Sequence, residues 1–202
     1  MGGTMTAEPV EHRHTWPVPP PDGYTVDDLF TLPDLPPHTE LIDGSLVFVS
    51  PQRRFHSLVI DVLVSGLRGS LGPEFSVERG MTVVLDSRNG PEPDISVVRA
   101  DAVTGLDQTS FQAKDVLLAV EVVSPDSESR DRTTKPQKYA AAGIPDFWRV
   151  EQNGTTGGPV VHVYELDPLT RSYVHMGMHR DRIKVDKPSS LDIDLTTMEG
   201  RP

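Results

Sequence analysis

Three residues of this 202-residue chain have the type and setting to do chemistry together: Asp94, Glu121 and Lys135. Glu121 lies in LLAVEVVS, flanked by apolar residues in a segment expected to be a buried strand. A buried carboxylate must be neutral, paired with a cation or bound to a metal, and a nearby Lys or Arg would satisfy it as well as a metal would. Asp94 lies in EPDISVV, where a strand follows a turn, a place where Asp also serves ordinary turn or cap chemistry. Two carboxylates on neighbouring strands can hold one hard divalent cation such as Mg2+, which takes oxygen ligands and keeps several waters. Such a cation lowers the pKa of a bound water. A lysine alongside can orient or deprotonate that water and stabilise charge on a phosphate. Lys135, in the first turn of the helix expected after the Glu121 strand, is the candidate, and a solvated helix-end lysine is the plain alternative.

Other polar residues carry weaker signals. His56 stands near a helix N-terminus, where it could touch the site, cap the helix or pack. Ser124 could bind a phosphate, although Ser-Pro favours capping the turn. Arg53, Arg54, Arg130 and Arg132 precede the helices that flank the proposed site, so they are candidates for phosphate contact or simply solvated surface. The remaining histidines have no zinc-ligand spacing, no GxxxxGKS loop is present, and no Gly-x-Ser-x-Gly elbow appears. Zero Cys excludes disulfides, thiolate metal sites and cysteine nucleophiles.

The elements that must position these residues can be read from periodicity. YTVDDLFTLP suits a short helix with Thr25 as N-cap and Asp27 and Asp28 in its first turn. ELI and SLVFVS flank Asp43-Gly44, a hairpin signal. Leu58, Val59, Val62, Leu63 and Leu67 make one apolar helix face between Phe55 and Leu71. EFSVERGMTVVL is a strand or strand pair, PDISVVRA a strand, and a polar connector then runs to Lys114. DVLLAVEVVS reads as a central strand covered on both faces. A polar loop leads into a helix with Thr133 as N-cap, Pro136 in the first turn and Gly143 at C′. Lys135 and Tyr139 share a face of that helix, whereas Lys138 faces elsewhere. DFWRVE is a further strand, with Phe147 and Trp148 read as core. VVHVYEL and RSYVHMGM form a late hairpin across DPLT that DRIKVD could extend, and structure signals are weak from Pro188.

This order implies an α/β (α+β) domain with a mixed sheet and two principal helices. Residues 1–23 read as a Pro-rich flexible tail, 24–187 as the domain and 188–202 as a C-terminal extension. A chain of this length buries roughly 70% of its unfolded surface as one domain. The net charge of −11 is uneven: the first 50 residues hold one basic and eight acidic residues, the rest 18 and 22. The folded part is therefore nearly balanced, which permits a local basic face but is not the footprint of a dedicated nucleic-acid binder. With no apolar run of membrane-spanning length and no signal-peptide h-region, a soluble cytoplasmic protein is expected.

The run of ELIDG, Ser50-Pro51 with His56 shortly after, EPDISVV, and LLAVEVVSPDSESRDRTTKPQKYAAAGIPDFWRVE resembles the Uma-two family of candidate endonucleases in the PD-(D/E)XK nuclease-like superfamily. The resemblance covers roughly residues 24–186 and is densest from Glu121 to Glu151, where EVVSP, Asp131, Lys135, Tyr139, Gly143 and FWRVE stand in register. It implies a restriction-endonuclease-like fold, a mixed sheet with added hairpins, and DNA phosphodiester hydrolysis that leaves a 5′-phosphate with Mg2+ or Mn2+ as cofactor. Asp94 and Glu121 are then the metal-binding carboxylates, the backbone carbonyl of Val122 a further ligand, and Glu40 of ELIDG an additional candidate. The superfamily places its lysine two residues after the Glu. Val123 stands there, and Lys135, with Tyr139 in a KxxxY pattern, matches the family's replacement from the following helix. Homodimerisation is expected by analogy with nucleases that cut as pairs. The alternative is a non-catalytic nuclease-fold module that binds nucleic acid or a protein partner. Val123 and the acidic balance favour the module, and the joint presence of Asp94, Glu121 and Lys135 favours the enzyme.

Overall fold

The computed structural model describes residues 18–154 and 157–198. Most of the tail expected over 1–23 lies outside the described residues. Helix α1 (Val26–Thr31) starts at Thr25, whose hydroxyl oxygen accepts from the Asp28 N–H while Asp28 accepts in return from the Thr25 N–H, a reciprocal capping box. Strands β1 (Glu40–Ile42) and β2 (Ser45–Val47) form the expected hairpin. Asp43 at φ 51° and Gly44 at φ 75° put both turn residues in the left-handed region that two-residue hairpins need. The guanidinium of Arg88 donates to the carbonyl of Asp43 and ties this turn to the body of the fold.

Helix α2 (Arg54–Ser70) buries the expected apolar face, with Val59, Val62, Leu63 and Leu67 all inside. The central sheet has the order β10-β9-β8-β7-β5-β3, made from β3 (Phe75–Arg79), β5 (Ile95–Arg99), β7 (Val116–Val122), β8 (Asp146–Gln152), β9 (Pro159–Asp167) and β10 (Ser172–His179). Within this sheet β7 and β8 form the one parallel pair among the described residues, and helix α3 (Lys135–Ala142) crosses between them. Strand β7 is buried on both faces. Leu118, Val120 and Val122 join α2 in one core cluster, while Ala119 joins Tyr139 of α3 and Phe147 in another. The fold is thus a mixed sheet between two principal helices, as the pattern implied.

Three local expectations are corrected. Strands β4 (Thr82–Val84) and β6 (Ser110–Gln112) pair in parallel, so the connector before Lys114 holds a strand. Burial of Phe111 outweighs the polar composition around it. Thr133 is not a helix N-cap, because the chain is already helical there. Residues Arg130–Thr134 form a π turn in which the Lys135 N–H reaches back to the Arg130 carbonyl. Pro136 lacks an N–H, so an ordinary turn at this point would lose a bond. Strand β11 (Arg182–Val185) does not extend the late hairpin but pairs with β12 (Leu191–Asp194), in the stretch from Pro188 that gave weak signals. Ile183, Leu191, Ile193 and Leu195 are buried against α2 and draw that ribbon away from β10.

The α2–β12 contact is close because residue 66 is glycine. A Cβ at Gly66 would stand 2.4 Å from Cγ2 of Ile193. A Gly66→Ala variant should therefore lose about 1–3 kcal/mol through overpacking, although Ala is the better helix former by ~1 kcal/mol. In an Ile193→Ala background, which lacks both Cγ atoms that the new Cβ would meet, the same Gly66→Ala change should cost much less. Urea denaturation of both variants checks this, and a Gly66→Ala variant more stable than wild type would contradict it.

Candidate active site

A cleft of ≈ 470 Å³ opens at the carboxyl end of β7, and Glu40, His56, Asp94, Glu121, Asp131 and Lys135 all line it. Each comes from a different segment: the start of β1, the first turn of α2, the residue before β5, the end of β7, the π turn and the start of α3. The antiparallel pairing of Ile95 with Val120 brings Asp94 beside Glu121 one step further on. Alternation with the core-facing Val120 and Val122 turns Glu121 toward α3, while the Asp94 carboxylate meets His56 of α2.

Lys135 is the centre of the arrangement. It is 4% exposed, so the solvated helix-end reading does not hold. Its Nζ lies 2.7 Å from Oε1 of Glu40, 3.0 Å from Oε2 of Glu121 and 3.6 Å from Oδ1 of Asp131. Burial alone would push this ammonium down, and the carboxylates of Glu121, Glu40 and Asp131 more than reverse that, holding it well above the usual lysine value. Lys135 is therefore a permanent cation. Glu121 accepts from Lys135 and, at 2.5 Å, from the Tyr139 hydroxyl. Burial pushes the Glu121 carboxyl well above the usual range; Lys135 opposes this, and Asp131, Asp94 and Glu40 reinforce it. Burial and the Glu121 charge also raise the Tyr139 phenol, which stays protonated as a donor. As expected, Lys138 faces elsewhere, 2.5 Å from Asp43.

Asp94 is held from two sides. One oxygen accepts from the Val122 N–H at 2.7 Å, and the other lies 2.9 Å from Nε2 of His56. His56 is thus buried against Asp94. Glu40 also accepts from the Glu92 N–H at 2.8 Å, which fixes the β1–β2 hairpin to the segment leading to Asp94. Asp131, to which the sequence reading gives no role, is buried, accepts from Ser127 through Oδ2, and leaves Oδ1 without a hydrogen bond. Burial raises its carboxyl, with Lys135 opposing. Its spacing of four residues before Lys135 was the available signal.

The weaker candidates separate. Ser124 and Arg130 line the cleft, and Arg53 stands at its rim with them. Ser124 is engaged with Ser127, Oγ to Oγ at 2.9 Å, in the turn after β7. Arg54, exposed at the start of α2, is outside the cleft lining. Arg132 also lies outside it and pairs with Glu128 and Glu151.

The donor chemistry suits a hard divalent cation. The carboxylates of Glu40, Glu92, Asp94, Glu121 and Asp131 line the cleft beside the cations Arg79, Arg130 and Lys135, and every carboxylate offers oxygen. Oδ1 of Asp131 faces the Lys135 ammonium at 3.6 Å and makes no hydrogen bond, so it keeps acceptor capacity. Among the described residues, however, no three His, Asp or Glu side chains already form a cage. The cause is visible: Lys135 draws in Glu40 and Glu121, and both Asp94 oxygens are engaged.

A family model described as "Uma2: Putative restriction endonuclease" matches residues 26–197. The fold is similar to a solved structure described as "a putative nuclease belonging to DUF820 from Anabaena variabilis ATCC 29413", at 18% identity and a TM-score of 0.66, over 86% of this chain and 96% of that one. No curated protein matches the sequence. Among the described residues, no helix is long and apolar enough to cross a membrane.

Removing the ammonium should expose what it compensates. With Lys135→Met, measured in EDTA, stability should fall by about 3–5 kcal/mol at pH 8, the usual cost of stranding a buried charge. Burial raises the folded pKa of Glu121 and Asp131, so the stranded carboxylates take up protons on folding as pH falls. The deficit should therefore shrink at pH 5. A deficit that is equal at both pH values would contradict this account.

Proposed function

The chain belongs to the Uma2 family, and from that premise we propose that it is a nuclease, specifically a Mg2+- or Mn2+-dependent endonuclease that hydrolyses DNA in the cleft at the end of β7. The observation that carries this reading is the convergence of four carboxylates and one buried ammonium at the carboxyl end of β7. Asp94, Glu121 and the Val122 carbonyl would hold the cation, with Glu40 alongside. When bound, that ion supplies Lewis acidity toward water and a phosphate oxygen.

The chain's own groups divide the remaining work. Lys135, kept protonated by its three carboxylates, orients water and stabilises charge on the phosphate, and does not serve as the base. Tyr139 holds the Glu121 carboxylate from the far side, and His56 holds Asp94. Water oxygen bonds to phosphorus as the bond to the 3′ oxygen breaks; the attacking water gives up a proton to solvent in the open cleft and the 3′ oxygen takes one up from it, leaving a 5′-phosphate and a 3′-hydroxyl. One observation favours the second reading, a non-catalytic nuclease-fold module: the ion pairs that engage Glu121 and Glu40 with Lys135 are what structural pairing would look like.

Nicking of supercoiled plasmid separates the two. Wild type with Mg2+ or Mn2+ should nick, and Asp94→Asn and Glu121→Gln should each lose about 10³-fold or more, while Tyr139→Phe, which removes one orienting hydroxyl, should lose about 10-fold. Nicking by Glu121→Gln at the wild-type rate would contradict the assignment.

A further inference from the structure

A second cleft of ≈ 460 Å³ lies across α3 from the first, and Arg132, Arg149 and Arg171 line it. The three arginines come from the π turn, from β8 and from the turn between β9 and β10. We propose that this cleft binds a phosphate of the same DNA strand, flanking the one that is cut, an inference that takes its substrate from the nuclease reading. Three guanidinium groups converge here in a protein whose net charge is −11. Their mutual repulsion is a cost that only partial pairing offsets: Glu151 lies 2.7 Å from both Arg132 and Arg149, and Glu128 lies 2.6 Å from Arg132.

The same contacts hold the arginines in place. Glu151 grips the Arg149 Nε while the guanidinium lies over the Tyr164 ring, 5.4 Å from its centre. Arg171 sits at φ 50°, a conformation that favours glycine, and its guanidinium reaches back to the Ala141 carbonyl at 2.5 Å. An arginine kept in that backbone position and turned toward α3 points to an anion between them. Neighbouring His162 is pushed down first by burial and then by Arg149, with Glu151 opposing. The π turn separates the two clefts, with Arg130 lining the first and Arg132 the second, so a strand crossing that turn would meet both. Planar arginine forks match phosphate geometry better than ammonium groups do.

Fluorescence anisotropy of a labelled DNA oligonucleotide, in EDTA and from 50 to 200 mM salt, tests this without requiring cleavage. Wild type should bind with a steep salt dependence. The double variant Arg132→Ala/Arg171→Ala should weaken binding about 10-fold and reduce the slope of log K against log salt by about 1.5–2, the value expected for two lost phosphate contacts. Restoring charge with Arg171→Lys in the Arg132→Ala background should recover part of both. An unchanged affinity and slope would overturn the inference, as would equal weakening by Lys184→Ala on exposed β11, or no DNA binding by wild type. If wild type binds in this way yet never nicks plasmid, the nuclease reading fails and the phosphate cleft stands.

Discussion

The cleft depends on one constraint: a lysine ammonium buried among carboxylates must stay charged, and the carboxylates must stay around it. An isolated ion of either sign inside the fold would cost several kcal/mol, and breaking such a pair costs about 3–5 kcal/mol. Lys135 with Glu40, Glu121 and Asp131 satisfies that requirement with an excess of negative charge left over. On the proposed reading, that excess is what would hold a divalent cation. A purely structural group would come closer to balance, whereas this one retains acceptor capacity at a solvent-connected cleft.

Much of the architecture can be understood as the means of bringing those groups together. The β7–α3–β8 crossover supplies Glu121, Lys135 and Tyr139 from one local unit, with Tyr139 and Lys135 stacked at i,i+4 on the helix face that meets the strand. The antiparallel partner β5 brings Asp94 alongside. Glu40 comes from farthest away in sequence, on a hairpin held by a small cluster of Tyr24, Val26, Leu29 and Leu41 and by its bond to the Glu92 N–H. Helix α2 covers the opposite sheet face and turns His56 onto Asp94.

The elements set by local rules were legible in the sequence: the Asp43-Gly44 turn, the Thr25 cap, the apolar face of α2, the doubly buried β7 and the shared face of Lys135 and Tyr139. Glu121 was legible for the same reason, since a charge in an apolar strand has few explanations. The features that were missed depend on distant partners. No local pattern ties His56 to Asp94, 38 positions away, or seats Phe111 and Ile193 in the core. The Thr133 cap failed because a π turn re-pairs the backbone around Pro136, and cap statistics assume a helix that begins where its first good residue stands. Asp131 carries no local signal of its role beyond its spacing from Lys135, because it stands in a polar stretch and becomes the i−4 partner of that lysine only where the helical turn extends upstream.

The most direct test of the central claim is calorimetric titration of Mn2+ into the metal-free protein and into Glu121→Gln. The account predicts one saturable binding event in wild type that disappears in the variant, because the carboxylates around Lys135 have the negative charge to hold a divalent ion. No binding by wild type, or equal binding by the variant, would mean that Lys135 already satisfies these carboxylates and that the cluster is a structural ion pair.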